Sequence, residues 1–457
     1  MKKYFGILFV SLGFLASAPA SAALQIQSWN QPDGARVLFV ANHSIPMLDV
    51  SVQFDAGQRR DPAGRAGLAE LTAASLTRGV AGGQGGELSE AQVLDGFADV
   101  AAEQHAGAGQ DRAGVKLRTL SSPAERDVAL GLLARMLAHP SFPQAGLERD
   151  KALAISGIRE ELTKPEAIAE KAFMAAIYGS HPYAQDAGEA SVQAITRDDV
   201  VAFHRAHYVA NRAVIVLIGD ITPDQARQIA AGLTRDLPQG AALSALPEVA
   251  APRGGETRIA HPASQSHILI GAPAIRRGDN DFFALTVGNY ILGGGGFVSR
   301  LTDEVREKRG LTYSVYSGFS PLAQPGPFQI GLQTKKEQTG EALQVVRATL
   351  DKFLKDGPTA AEMKAAKDNL TGGFALRIDS NAKLLENIAV IGFYGLPLDY
   401  LDRWIDQVRN VSVSDVRAAF RRHVHPEQLA TVIVGEDAQA ALAASPAPAA
   451  PAAPTSK

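Results

Sequence analysis

Apolar and polar positions alternate along the chain in a way that divides it into short strands and amphipathic helices in close succession. Val37–Asn42 and Met47–Ala56 alternate or run apolar as strands do. Gly67–Leu76, Ala124–Leu137 and Glu148–Leu162 carry apolar residues at helical spacing. Further along, Ser266–Ala272, Tyr313–Phe319 and Phe328–Thr334 read as strands and Asp281–Leu292 as a helix. Strands packed on one side by helices predict an α+β sandwich.

The pattern repeats. Ile195–Asp220 (ITRDDVVAFHRAHYVANRAVIVLIGD) aligns without a gap on Val411–Glu436 (VSVSDVRAAFRRHVHPEQLATVIVGE). Asp199 falls on Asp415, Val200 on Val416, Arg205 on Arg421, His207 on His423 and Gly219 on Gly435. Each copy reads as a helix capped by Thr196 or Ser412, a short turn, and a β-branched strand ending at glycine. The chain therefore divides into two homologous α+β halves, 23–240 and 255–440, that enclose a cavity. A Pro/Gly/Ala-rich linker at 241–254 joins them.

The chain has 457 residues, 46% of them hydrophobic, enough for more than one core. Cysteine is absent, so no disulfide holds the fold. The start, MKKYFGILFVSLGFLASAPASAA, has two lysines, an apolar run and Ala20-Ser21-Ala22, the pattern of a signal peptide over 1–22. The expected location is therefore outside the cytoplasm, in the periplasm, with no stable membrane span after cleavage. The end, 441–457, is Ala/Pro-rich and reads as a disordered tail. Formal net charge is −3 with no concentrated basic patch, which argues against nucleic acid as a partner.

Candidate chemistry is sparse. Neither a cysteine nucleophile nor a G-x-S-x-G elbow is present. The glycine run Gly293–Gly296 lacks the G-K-[ST] of a phosphate cradle and reads as a tight turn. His204 and His207 lie three apart on a helix, but His207 and His423 are repeat equivalents at helix C-termini, a structural placement. His181-Pro182-Tyr183 reads as a structural loop.

Several local motifs resemble the pitrilysin/insulinase family, the inverzincin zinc peptidases, over nearly the whole chain after the leader. In that family a glycine and two further residues precede H-x-x-E-H on a helix; the histidines bind zinc and the glutamate activates water. On GLAELTAAS the two histidine positions hold Glu70 and Ala74, and the glutamate position holds Ala73. The family's third ligand is a glutamate one heptad beyond a Glu-Arg pair. Glu148-Arg149 matches the pair, and the ligand position holds Ile155. Glu160 and Glu161 follow, but at about 100° per residue they point roughly 140° and 240° away from it. The resemblance thus implies no metal in this chain.

The second half retains what the first has lost. LGGGGFVSRLTDEVREKRGLTYSVYSG contains an arginine and a tyrosine seven apart, Arg306 and Tyr313, matching a pair the family uses to hold the substrate carbonyl and stabilise developing negative charge. Considered alone, Arg306 is one charge in a crowded helix and Tyr313 one strand aromatic. Some family members are split into two short subunits, one with H-x-x-E-H and one supplying Arg/Tyr, and this chain is similar to the second kind. The resemblance implies a non-catalytic subunit, inactive alone, whose H-x-x-E-H partner holds zinc and whose substrate is a peptide or unfolded polypeptide. The alternative is a structural or peptide-binding scaffold of the same fold without peptidase activity. An independent enzyme using Glu70, Glu148 and Glu160 is a third and weaker reading.

Overall fold

A computed structural model describes residues 25–82, 85–251 and 253–436; the expected leader and the expected tail lie outside them. Its strands, in chain order, are β1 (Gln27–Asn30), β2 (Arg36–Ala41), β3 (Met47–Phe54), β4 (Gly79–Ala81), β5 (Glu87–Ser89), β6 (Glu103–Ala108), β7 (Ala113–Leu120), β8 (Val214–Gly219), β9 (Gly255–Ala260), β10 (Gln265–Ile275), β11 (Thr312–Phe319), β12 (Gly326–Lys335) and β13 (Ala430–Glu436). One sheet has the order β1-β2-β8-β3-β7-β6 and a second the order β9-β13-β10-β12-β11, with β4 and β5 forming a small separate hairpin. β2–β8 and β9–β13 are parallel, and the other pairs named run antiparallel. Matched this way, β2, β8, β3, β7 and β6 correspond to β9, β13, β10, β12 and β11. The two halves share one topology.

Local chemistry explains the repeat. Thr196 Oγ1 accepts from Asp199 N (3.1 Å) while Asp199 accepts from Thr196 N (2.9 Å); Ser412 and Asp415 do the same at 3.1 and 2.8 Å. These reciprocal boxes satisfy amides that have no partner within the helix. At the other helix ends, His207 Nδ1 meets Asp55 O and His423 Nδ1 meets Ala274 O, each at 2.9 Å. Each imidazole ties its helix to the end of the adjacent central strand. Gly219 (φ 153°) and Gly435 (φ 132°) close the following strands, and a Cβ there would lie 2.2 Å from Met47 O and 2.5 Å from Gln265 O. Only glycine fits that approach.

The sequence pattern predicts helices on one face of each sheet. The structure differs, because each half lends a helix to the other. Pro165–Tyr178 packs against β10 and β13 of the second sheet, and Asn381–Tyr394 packs against β8, β3 and β2 of the first. One hydrophobic core accordingly joins Leu38, Val40, Val216 and Ile218 to Leu384, Leu385, Ile388 and Ile391. Gly392 permits the contact; a Cβ there would come within 2.7 Å of Leu38 and 2.8 Å of Val214. The lent helix is narrower than the sheet. It packs mainly on β8, β3 and β2, and reaches β7 through the Lys116–Glu386 ion pair.

A buried carboxylate fastens the halves together. Asp111, at the tip of the β6–β7 hairpin, accepts from the Tyr183 hydroxyl (2.6 Å), the Tyr394 hydroxyl (2.7 Å) and Ala323 N (2.8 Å), and pairs with Arg59 at 2.9 Å. Tyr183 belongs to the His181-Pro182-Tyr183 loop, which is structural as expected. Among the described residues between helix Pro223–Thr234 and β9 there is no strand or helix; Ser244 O accepts from Arg60, and Pro247 O faces His181 Nε2. Among the described residues, no helix is long and apolar enough to cross a membrane.

Candidate functional site

The helix Leu68–Ser75 begins at Gly67 (φ 99°), whose amide, with that of Ala69, is held by the buried Asp61 carboxylate at 2.8 Å each. Burial raises the Asp61 pKa to about 6, and the nearby Glu70 charge adds to the rise while the backbone donors oppose it. Ala73 is fully buried and Ala74 half-buried, so methyl groups occupy both positions. Ile155 lies in the core on helix Gln144–Glu161, which packs beside Leu68–Ser75. Glu70 is exposed, and its Oε2 accepts from Ala108 N at 3.0 Å.

The positions that the resemblance assigns to a metal therefore lie on two helices packed together, with the wrong chemistry. They offer one carboxylate, already engaged by a backbone amide, two methyls and a buried alkyl chain. Three well-placed donors are required, so these residues do not fit zinc. Glu148 and Glu160 do not repair the deficit. Glu148 faces Gln144 and Lys151, and Glu160 pairs with Lys164 on the surface.

Among the described residues, one other group has ligand-like spacing: Asp279, Asp281 and His423. Arg422 grips Asp281 with two bonds of 2.6 and 2.7 Å, and both nitrogens of His423 already face acceptors. A cation would have to displace a guanidinium. His204 is also structural: Nε2 meets Leu137 O at 2.8 Å, and burial lowers its pKa to about 4.

Arg306 and Tyr313 do come together. Val305 and Leu311 are buried on either side of a reversal closed by Leu311 N to Val305 O (3.0 Å), which folds the π-helical turn Thr302–Glu307 back on β11. The guanidinium carbon lies 5.0 Å from the Tyr313 ring centroid and 4.7 Å from that of Phe297. Arg306 is thus sandwiched between two aromatic faces, each worth about 0.5–1 kcal/mol at an exposed site. Tyr313 is 81% exposed. The β11–β12 register shifts between Thr312 and Val315, so a bulge at Tyr313-Ser314 turns both side chains outward. The Thr312 hydroxyl holds that bulge through Ser314 O (2.7 Å) and Gln333 O (2.5 Å).

The sequence does not single out Phe297; its one signal is an aromatic placed directly after the glycine run. Gly293 and Gly294 end the π-helical stretch Tyr290–Gly294, and the expected turn is confined to Gly295 and Gly296, the latter at φ 60°. Among the described residues, the ring and ionic partners of Arg306 and Tyr313 belong to the second half, none to the helix carrying Glu70.

Comparison with known proteins bears on the family and the fold. The family described as "Peptidase M16 inactive domain" matches residues 194–370. A non-peptidase homolog, YmxG, of Helicobacter pylori is 28% identical over 442 residues, covering 95% of this chain and 98% of its own. An uncharacterized zinc protease of Mycobacterium bovis is 26% identical over 432 residues, 92% of this chain and 95% of its own. The crystal structure of a peptidase M16 inactive domain from Pseudomonas fluorescens superposes with a TM-score of 0.86 at 38% identity, over 91% of this chain and 98% of that one. The periplasmic protease PqqL of Escherichia coli shares the fold (TM-score 0.77, 16% identity), with 95% of this chain matched to 49% of that one. With a duplicated fold, a degenerate metal helix and these relatives, the chain belongs to the peptidase M16 (pitrilysin/insulinase) family, as a member without the zinc-binding motif.

Proposed function

We propose that this chain is the non-catalytic subunit of an exported, periplasmic, heteromeric zinc peptidase. Its partner carries H-x-x-E-H and the zinc, and this chain places Arg306 and Tyr313 at the partner's site. Its halves are 23–240 and 255–440, joined through 241–254. The observation that carries the reading is the exposed Arg306–Tyr313 stack on a bulged edge strand, in a chain whose own metal positions hold Glu70, Ala73, Ala74 and Ile155. A planar donor fork and a neutral hydroxyl, fixed side by side and open to solvent, suit a peptide carbonyl whose oxygen gains charge during attack. Aromatic stacking limits the motion of the guanidinium before substrate arrives, which reduces the ordering required in the transition state.

The test is peptide hydrolysis by the mature chain alone and mixed with a co-exported H-x-x-E-H relative, with bound zinc measured in each. Activity and zinc only in the mixture support the reading. A stable complex with no activity would instead favour the scaffold reading, for which the name of the Helicobacter relative, a non-peptidase homolog, is the favouring observation.

A further inference from the structure

The loop after β10 and the connector after helix Asn381–Tyr394 face each other across a cleft of about 220 Å³, and none of Glu70, Arg306 and Tyr313 lines it. Arg277 N donates to Leu322 O at 2.7 Å, and Gly278 turns the chain at φ 86°. Opposite, Gly395 (φ 67°) ends the helix and Leu396 is buried against Gly278, where a Cβ would come within 3.2 Å of it. Tyr400, Arg403 and Gln407 follow at i, i+3 and i+7 of helix Tyr400–Asn410 and line the cleft from one helix face.

The floor is aromatic. Phe282, Phe283 and Tyr400 meet with ring centroids 5.3, 5.8 and 6.5 Å apart, and Trp404 backs Phe283 at 6.3 Å. Beside this floor stands Arg277, its guanidinium 5.5 Å from the Tyr394 ring centroid and its Nε buried without a hydrogen-bond partner. Among the described residues no carboxylate pairs with it. The other charges at the cleft are matched. Arg403 faces Asp399 at 3.5 Å, Asp279 accepts from Asp281 N at 2.8 Å and stands 3.9 Å from His423, and Arg422 holds Asp281. The Asp111 carboxylate bound by Tyr394 is taken by Arg59. In the loop after Asp55, the first-half counterpart of Ala274, Arg59 and Arg60 both have carboxylates. Burial pushes the Tyr400 hydroxyl up to about 12 while the Arg277 charge pulls it down, so a neutral phenol stands near this guanidinium at neutral pH.

We propose that this cleft binds a small apolar carboxylate, with its anion on the Arg277 fork and the Tyr400 hydroxyl and its hydrocarbon body on Phe282 and Phe283. A guanidinium meets a carboxylate through paired, charge-assisted hydrogen bonds. Apolar walls with a few oriented polar groups are what small-molecule sites consist of, and a volume below roughly 300 Å³ admits a ring-sized body rather than a drug-sized one. Two sources share this chemistry: a free aryl- or alkyl-carboxylic acid, and the C-terminal residue of a polypeptide. The site belongs to the chain by itself and does not depend on a peptidase partner.

The test is an NMR titration of the purified mature chain with phenylpropionate and with its neutral counterpart, phenylpropionamide. The acid should bind, and the amide should bind at least about tenfold more weakly, the value of a hydrogen bond to a charged group. Arg277→Gln should abolish that preference, and Tyr400→Phe should weaken the acid about fivefold. A short peptide ending in phenylalanine, as free acid, separates the sources: tighter binding than phenylpropionate assigns the cleft to a chain terminus, weaker binding to a free acid. No binding of phenylpropionate, equal affinity for acid and amide in the wild-type chain, or a preference that survives in Arg277→Gln would each overturn the proposal. Should Arg277→Gln fail to fold, the acid–amide comparison on the wild-type chain, together with Tyr400→Phe, decides.

Discussion

The Tyr394 hydroxyl donates to Oδ2 of Asp111 across 2.7 Å, joining a helix of the second half to a hairpin tip of the first. The same carboxylate holds Tyr183, Ala323 and Arg59, so one side chain fixes four segments. Tyr394→Phe should cost about 2 kcal/mol, a hydrogen bond to a charged acceptor. Asp111→Ala should cost about 3–5 kcal/mol, because Arg59 is left buried without one of its two carboxylates. Urea unfolding of the two variants checks the order; a Tyr394→Phe midpoint equal to wild type would show that the other donors suffice.

Tyr313→Phe keeps the ring that packs on Arg306 and removes only the hydroxyl. Assembly with the proposed H-x-x-E-H partner should be unchanged and turnover of that complex should fall by about 100-fold, the loss of one oxyanion donor. Arg306→Lys should fall at least as far, since a point charge replaces a stacked fork. Steady-state kinetics on complexes purified to equal stoichiometry decide this, and an unchanged rate for Tyr313→Phe removes that residue from the mechanism.

Restoring the metal motif alone should not restore the metal. Ala73 has no exposed surface, and a glutamate there must displace packed neighbours at a cost of about 1–3 kcal/mol. Glu70→His/Ala73→Glu/Ala74→His should therefore melt below wild type and bind substoichiometric zinc, because position 155 still presents a buried isoleucine. Adding Ile155→Glu supplies the third ligand and should raise zinc occupancy. Full occupancy in the triple variant would mean that another residue serves as that ligand.

Two buried groups give opposite pH slopes. His204 is held near pKa 4 by burial, below its unfolded value of about 6.5. Its contribution is complete above that value and is lost as pH falls toward 4, by about 3 kcal/mol. Asp61 is raised to about 6, so its contribution is complete below about 4 and is lost as pH rises through 6. Over that window His204→Gln should lose less stability than wild type on acidification, and Asp61→Asn should lose less on alkalinisation. Unfolding free energies measured from about pH 4 to pH 7 test both signs.

What could be read in the sequence was local. Thr196 and Ser412 cap as their three-residue spacing to aspartate predicts, and His207 and His423 match because the repeat is ungapped. The stacking of Arg306 on Tyr313 follows from a reversal between two buried residues, Val305 and Leu311, and was approachable through the seven-residue spacing. Asp111 was not legible. It is one acid in a run of small residues, and its four partners come from positions 59, 183, 323 and 394. Nor does any pattern in Pro165–Tyr178 say which sheet its apolar stripe covers, because amphipathicity states that a face is buried and not against what.

The exchange of Pro165–Tyr178 for Asn381–Tyr394 bears on how the chain can be divided. A cut within 241–254 severs no contact between the sheets and the helices lent to them, so the two fragments should remain clasped and migrate as one particle under native conditions. Expressed separately, each would display a bare sheet face and carry a helix with nothing to cover. The geometry is that of a swapped homodimer whose two copies have been joined end to end, in which covalent continuity adds little to a union that packing already maintains.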